Sequence, residues 1–179
     1  ECTDEDHEEQ LMAWAERVES ALDVLFAEDE RDLQRLRAIR HAVPAGVNEL
    51  VAANGMPKVG TDFAVPDDAI DTLMAAYEAI ELPHVLFGHI GDNHLHLNLL
   101  PRTVSELDQA WADWSRLYDL ALLHGGCLSA EHGVGKLKQR YLGRMVGDAT
   151  LGQFAALKRH LDPGWILGRG VMLENPCKP

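Results

Sequence analysis

Two periods run through the chain. Apolar residues recur at helical spacing from about Glu8 to Leu25, at Leu11, Met12, Trp14, Ala15, Val18, Ala21, Leu22 and Leu25. The consecutive Val24, Leu25 and Phe26 favour a strand or extended turn over Asp23–Ala27. Glu28–Arg40 carries Leu33, Leu36 and Ile39 on one stripe, an amphipathic helix that Pro44 is expected to kink or break near His41–Val43. The helical pattern resumes over Val47–Ala53 and stops at Asn54–Gly55. Lys58–Val65 reads as a strand, with Gly60 the place for a bulge. Pro66–Asp67 opens a helix with Asp67 as its N-cap and Ile70, Leu73, Met74, Tyr77 and Ile80 on its apolar face; Pro83 closes it. Strands follow at His84–Gly91 and His94–Leu100.

Thr103 and Glu106 form a capping box, which predicts a helix running to about His124 and ending at Gly125–Gly126. Cys127–Ser129 is expected to be extended. Further helices are predicted over Lys136–Val146 and Thr150–Leu161, with a stop at Asp162–Pro163–Gly164 and an apolar strand over Trp165–Leu173. Helices and strands alternate, but the clearest strand pair is an antiparallel hairpin. The fold class expected is α+β, an antiparallel sheet with helices packed on one side. No internal repeat or linker divides the 179 residues, so one domain is expected over 1–179.

Composition narrows the functions. Hydrophobic residues make up 46% of the chain, enough for a core, and only 6% are aromatic, so Leu, Ala, Val and Ile should fill it. A formal net charge of -13 argues against nucleic acid or an anionic membrane as partner. The acidic run Glu1–Glu9 reads as a solvated lead-in to a helix. Cys2, Cys127 and Cys177 make no CxxC pair, which suits a reducing compartment, and a cytoplasmic location is expected. No apolar run approaches the roughly 20 residues that span a bilayer, and no signal peptide is visible. The first residue is Glu1, as in a fragment of a longer protein.

The chemistry concentrates in two segments, GHIGDNHLHLN at Gly88–Asn98 and SAEHGVG at Ser129–Gly135. Strand alternation places Leu95, Leu97 and Leu99 on one face and His94, His96 and Asn98 on the other. A two-residue turn at Asp92–Asn93 would pair Gly91 with His94, Ile90 with Leu95 and His89 with His96. His89 and His96 would then be neighbours able to chelate one divalent ion, an arrangement that a one-residue slip would destroy. Glu131 is the candidate third ligand and His132 a candidate proton acceptor. Arg40 and Lys58 are either ordinary surface cations or the groups that receive a substrate carboxylate. A non-catalytic metal-binding or interaction module is the alternative that these residues leave open. A metal-dependent hydrolase lacks the supporting HExxH or nucleophile motif.

Taken together, the segments resemble the C-terminal domain of the FAD-linked oxidase family. The family includes D-lactate dehydrogenases, the glycolate oxidase FAD subunit and D-2-hydroxyglutarate dehydrogenase. Its pattern is approximately GHxGDGNxHxN, then SxEHGxG, then an LDPxxIxNPGK-like segment. The chain has GHIGDNHLHLN, SAEHGVG and, at Leu161–Gly170, LDPGWILGRG, in that order. It departs from the pattern at Asn93 and His94, where the family has Gly and Asn, and at Gly168–Arg169, where it has Asn–Pro. The resemblance implies a ferredoxin-like fold and a metal site of His89, His96 and Glu131 for zinc or manganese. It also implies a general base at His132, and Arg40, Lys58 and Asn98 around a small 2-hydroxy acid. It implies FAD held mainly by a separate flavin-binding domain missing from this chain, which alone would not turn over. A homodimer is compatible with it.

Overall fold

The computed structural model describes residues 29–174 together with Gln10, Met12, Ala13, Glu16, Leu25 and Ala27; the side chain of Ile90 is not described. The helix predicted over Glu8–Leu25, the extended segment at Asp23–Ala27, Cys2 and Cys177 therefore lie largely or wholly outside the described residues. The chain divides into two compact units, Glu1–Asn48 and Glu49–Pro179.

The first described element is α1, Glu30–Asn54, one helix with Pro44 inside it. Of the kink or break expected at His41–Val43, the break is absent: the helix is continuous. Pro44 lacks the N–H that would bond back one turn, a cost of about 3 kcal/mol, but the helix continues through for 25 residues in all. It ends where expected, with Gly55 at φ 67°.

The second unit is built on an antiparallel sheet whose central strand is β4, His94–Leu99. On one side lies β3, His84–His89; on the other lie β1, Val59–Gly60, and β2, Phe63–Ala64. β1 and β2 share one register on β4, Val59 facing Leu99 and Gly60 facing Asn98, then Phe63 facing Leu95 and Ala64 facing His94. No residue is inserted between them, so Gly60 is not a bulge; Thr61 N–H still donates to Leu97 O at 2.9 Å. Cys127 makes an antiparallel bridge to Ala64 on the outer side. The spatial order is thus Cys127, β1–β2, β4, β3. Sequence order is strand, helix, two strands, helix and the Cys127 bridge, a split βαβ arrangement of ferredoxin-like kind.

One face of this sheet is the core. Val59, Phe63, Leu95, Leu97 and Leu99 pack there against Leu73 and Tyr77 of α2, Ile70–Glu78, and against α3, Val104–Leu123. The buried residues of α3 are Ala110, Trp114, Leu117, Tyr118 and Ala121, one stripe at 3.6-residue spacing. Trp114 stands 5.2 Å from the Phe63 ring and 4.6 Å from that of Tyr141, and its indole N–H donates to Gly60 O. Each such side chain fully removed from water contributes roughly 1.5–3 kcal/mol. Thr103 caps α3 as predicted, accepting from Glu106 N–H at 3.2 Å.

Asp67 does not cap a helix. A 3-10 turn, Asp67–Ala69, precedes α2, and the Asp67 carboxylate instead accepts from the Asn93 amide at 2.5 Å. The last helix, α4, Gln139–Leu161, joins the two helical stretches expected, with a kink at Gly147, φ 79°. Asp162 ends it, as predicted. The tail is not a strand: Trp165, Gly168, Gly170 and Met172 all have positive φ, which excludes extended pairing.

Candidate metal and substrate site

The face of β4 opposite the core carries His94, His96 and Asn98, and it too is buried, at 5%, 7% and 3% exposure. Alternation accounts for the facing; the cover is Ser129–Lys138, delivered by the end of α3. Gly125 turns the chain at φ 75°. Gly126 then passes so close that an added Cβ would lie 2.6 Å from Ala64 O and 2.8 Å from Ala121 O. The chain continues along the sheet edge, with Ala130 N–H donating to Asp62 O at 2.9 Å.

The hairpin differs from the one expected. Ile90–Asp92 forms a 3-10 turn and Asn93 takes φ 49°, so the connection is longer than two residues. His89 pairs with His94, Gly88 with Leu95 and Phe87 with His96. The shift from the expected register is two residues, which preserves facing. His89 therefore stays on the histidine face, diagonal to His96, with ring centroids 6.3 Å apart.

Glu131 is the point where the imidazoles meet. Its Oε1 lies 2.8 Å from His96 Nε2 and 3.2 Å from His132 Nε2, and its Oε2 lies 3.7 Å from His89 Nε2. The Glu131 carboxyl sits below its ordinary pKa: partial burial pushes it up, but the His96 hydrogen bond and the charges of His132, His96 and His94 outweigh this. His96 also presents Nδ1 to Thr61 O at 3.3 Å. A neutral imidazole has one N–H. If Nδ1 donates to the carbonyl, Nε2 offers a lone pair to a carboxylate. In that tautomer Nε2 is free to share a cation with the carboxylate; in the other, Nε2–H donates to Glu131 directly. The donor set, with a carbonyl at the far ring nitrogen, could hold a divalent metal ion.

Asp62 is the residue that the sequence reading left without a role. It is 1% exposed and projects from between β1 and β2 onto the histidine face. Its Oδ1 lies 3.0 Å from His94 Nε2 and 3.4 Å from Glu131 N. Its Oδ2 accepts from Ser129 Oγ, from His132 N–H at 3.1 Å and from Lys138 Nζ at 3.1 Å. Its pKa stands at about 2. Burial raises it, but the Ser129 hydroxyl, the Lys138 ammonium and the His132 N–H prevail. The signal for it was an Asp at an alternate position within the apolar segment Val59–Val65; Ser129 and Lys138 had none strong enough. Asp62, His96, Glu131 and His132 each bring one ligand-type atom within 4.8 Å of the others. The oxygens of Asp62 are already occupied by protein donors, whereas His96, His132 and, at 3.7 Å, His89 converge on the Glu131 carboxylate; His89 lies outside the tight group.

The predicted substrate residues separate into two groups. Lys58 Nζ donates to Asn98 Oδ1 at 2.8 Å, and partial burial lowers the Lys58 pKa. Asn98 is one alternate position from His96, so Lys58 and Asn98 border the histidine face. Arg40 is exposed on the part of α1 that belongs to the first unit.

Residues 1–172 match the family described as FAD linked oxidases, C-terminal domain. The chain is 28% identical over 183 residues to a D-2-hydroxyglutarate dehydrogenase of Stutzerimonas stutzeri, covering 95% of this chain and 38% of that protein. It is 28% identical over 175 residues to a probable mitochondrial D-lactate dehydrogenase of Danio rerio, covering 93% and 35%. It is 30% identical over 123 residues to the glycolate oxidase subunit GlcD of Bacillus subtilis, covering 65% and 26%. It thus spans about a quarter to two-fifths of these relatives' own length. No helix of the described residues is long and apolar enough to cross a membrane. With the match running over nearly its whole length, the chain belongs to the family of FAD linked oxidases, C-terminal domain.

Proposed function

We propose that this chain is the substrate- and metal-holding part of an FAD-dependent oxidoreductase that converts a small 2-hydroxy acid to the 2-oxo acid. The observation that carries the reading is His96, with a carbonyl at Nδ1 and the Glu131 carboxylate 2.8 Å from Nε2, beside His132. His89, His96 and Glu131 are the proposed ligands. A divalent ion, zinc or manganese, would supply Lewis-acid polarisation of the hydroxyl and carboxylate oxygens when bound.

His132 is the proposed general base. It is exposed, and its Nε2 sits at the edge of the Glu131 carboxylate. There it can take the hydroxyl proton. Lys58 supplies a positive charge for the substrate carboxylate, and Asn98 fixes the ammonium so that less side-chain freedom is lost on binding. Arg40 is a second candidate for that carboxylate. FAD, when bound, would supply the hydride acceptor for the α-carbon; no residue of this chain is assigned to the flavin. A flavin-binding region of the kind the family name implies would complete the site.

The test is turnover by the protein that contains this chain together with its flavin-binding region. D-lactate, glycolate and D-2-hydroxyglutarate are offered with a dye as electron acceptor. Oxidation of at least one, with His132→Ala lowering kcat by 100-fold or more and Lys58→Met raising KM, supports the reading. Metal binding with no oxidation of any of the three, and an unchanged flavin spectrum, supports a non-catalytic metal-binding module instead.

A further inference from the structure

We infer that Asp62 is a positioning residue and not a metal ligand: through Ser129, Lys138 and two backbone N–H groups it holds the Glu131–His132 segment against His96. The inference rests on the metal reading only for its effect on affinity; the anchoring itself is independent of any ion.

Three observations carry it. Asp62 is almost fully buried, and its two oxygens face five protein donors or ring nitrogens, which leaves little lone-pair capacity for an ion. Two of those partners, Glu131 N and His132 N, belong to the residues whose side chains reach His96, so the carboxylate fixes their backbone at its root. Lys138, whose side chain is 15% exposed, closes the arrangement from the far end of the loop, bonding both Asp62 and Ser129 Oγ, the latter at 3.4 Å. Gly133 and Gly135, at φ 72° and 58°, lie between these anchors; the same loop is also held by Met172 N–H donating to Gly135 O at 3.1 Å and by Val134, which packs against the core. His94, the departure from the family pattern, belongs to the same device: its Nε2 faces Asp62 Oδ1 and its ring packs edge-on against His96 at 4.4 Å.

Lys138→Met gives the decisive sign. If Lys138 acted on the site only by charge, removing a cation near a divalent ion would tighten metal binding. If it holds Asp62 and the loop, its loss weakens binding, because partners of this kind carry about 10–100-fold in metal affinity. The experiment measures amide hydrogen exchange at Glu131 and His132 in the metal-free chain, and Co2+ affinity by titration. The comparison is between the parent, Lys138→Met, Lys138→Arg and Asp62→Asn. Expected are exchange at least tenfold faster at residues 131 and 132 in Lys138→Met, unchanged exchange at Leu97 and Tyr118, a Co2+ Kd at least tenfold higher, and recovery of both in Lys138→Arg. Asp62→Asn should act in the same direction and more strongly; where it does not fold, Lys138→Met decides alone. Unchanged exchange at 131 and 132, or faster exchange with equal or tighter Co2+ binding, overturns the inference. If the parent binds no Co2+, the metal reading fails, and the anchoring claim then stands or falls on the exchange rates.

Discussion

Replacing Gly88 by Ala should damage the sheet at the histidine face. An added Cβ would stand 2.5 Å from His94 O, 2.8 Å from Leu95 Cα and 3.2 Å from His96 N. All three are backbone atoms of the central strand, so no rotamer change relieves the contact. Relief requires β3 to retreat from β4 at the Gly88–Leu95 pair, the fifth of six paired positions and one pair from the hairpin turn. Overpacking of this kind costs about 1–3 kcal/mol, and the backbone contacts place this case toward about 3. The methyl group also restricts the unfolded chain, which returns about 0.4–1 kcal/mol, for a net loss near 2. Gly46 is the control: it lies in α1 with open space around its Cβ position. Gly46→Ala should stabilise by about 0.5–1 kcal/mol through helix propensity. Urea melts of the parent and both variants measure the difference. Gly88→Ala within 0.5 kcal/mol of the parent, or less destabilising than Gly46→Ala, would refute the close approach of the two strands. The site should respond as well, since the displaced pair carries His89 on one strand and His94 and His96 on the other.

Leu97→Ala removes a fully buried side chain on the core face of β4 and should cost about 2–5 kcal/mol in a urea melt, with far-UV circular dichroism retained. Thr103→Ala removes the N-cap of α3 and should cost about 1 kcal/mol. Asp162 has a pKa of about 2, held down first by Lys158 and then by the N–H groups of Ile166 and Leu167. Because its folded pKa lies below its ordinary value of 3.8, its stabilising effect is complete above about pH 4 and fades as pH falls toward 2. Urea melts of the parent and Asp162→Asn should therefore differ at pH 6 and converge near pH 2; equal stability at pH 6 would remove the carboxylate from this role.

Much of the site was legible because strand alternation needs no tertiary information. The separation of Leu95, Leu97 and Leu99 from His94, His96 and Asn98 follows from period two alone, and it survived a wrong turn length because the register moved by an even number of residues. The Thr103 cap and the Gly55 stop were legible for a similar reason: a few adjacent residues determine them. Long-range facts were not. Nothing local distinguishes Asp67 capping a helix from Asp67 accepting an amide of Asn93, 26 residues away. The continuous α1 shows that the cost of one proline is weighed against a whole helix. Asp62 escaped because its partners, Ser129, His132 and Lys138, are 67 to 76 residues downstream, and only the sheet brings them to it.

Isothermal titration of Zn2+ into the chain, compared among the parent, His89→Ala, His96→Ala and Glu131→Gln, tests the central claim most directly. The account predicts one ion per chain for the parent and at least a 100-fold loss of affinity for His96→Ala and Glu131→Gln, with His89→Ala also weakened. Parent-like binding by all three variants, or no binding by the parent, would contradict it.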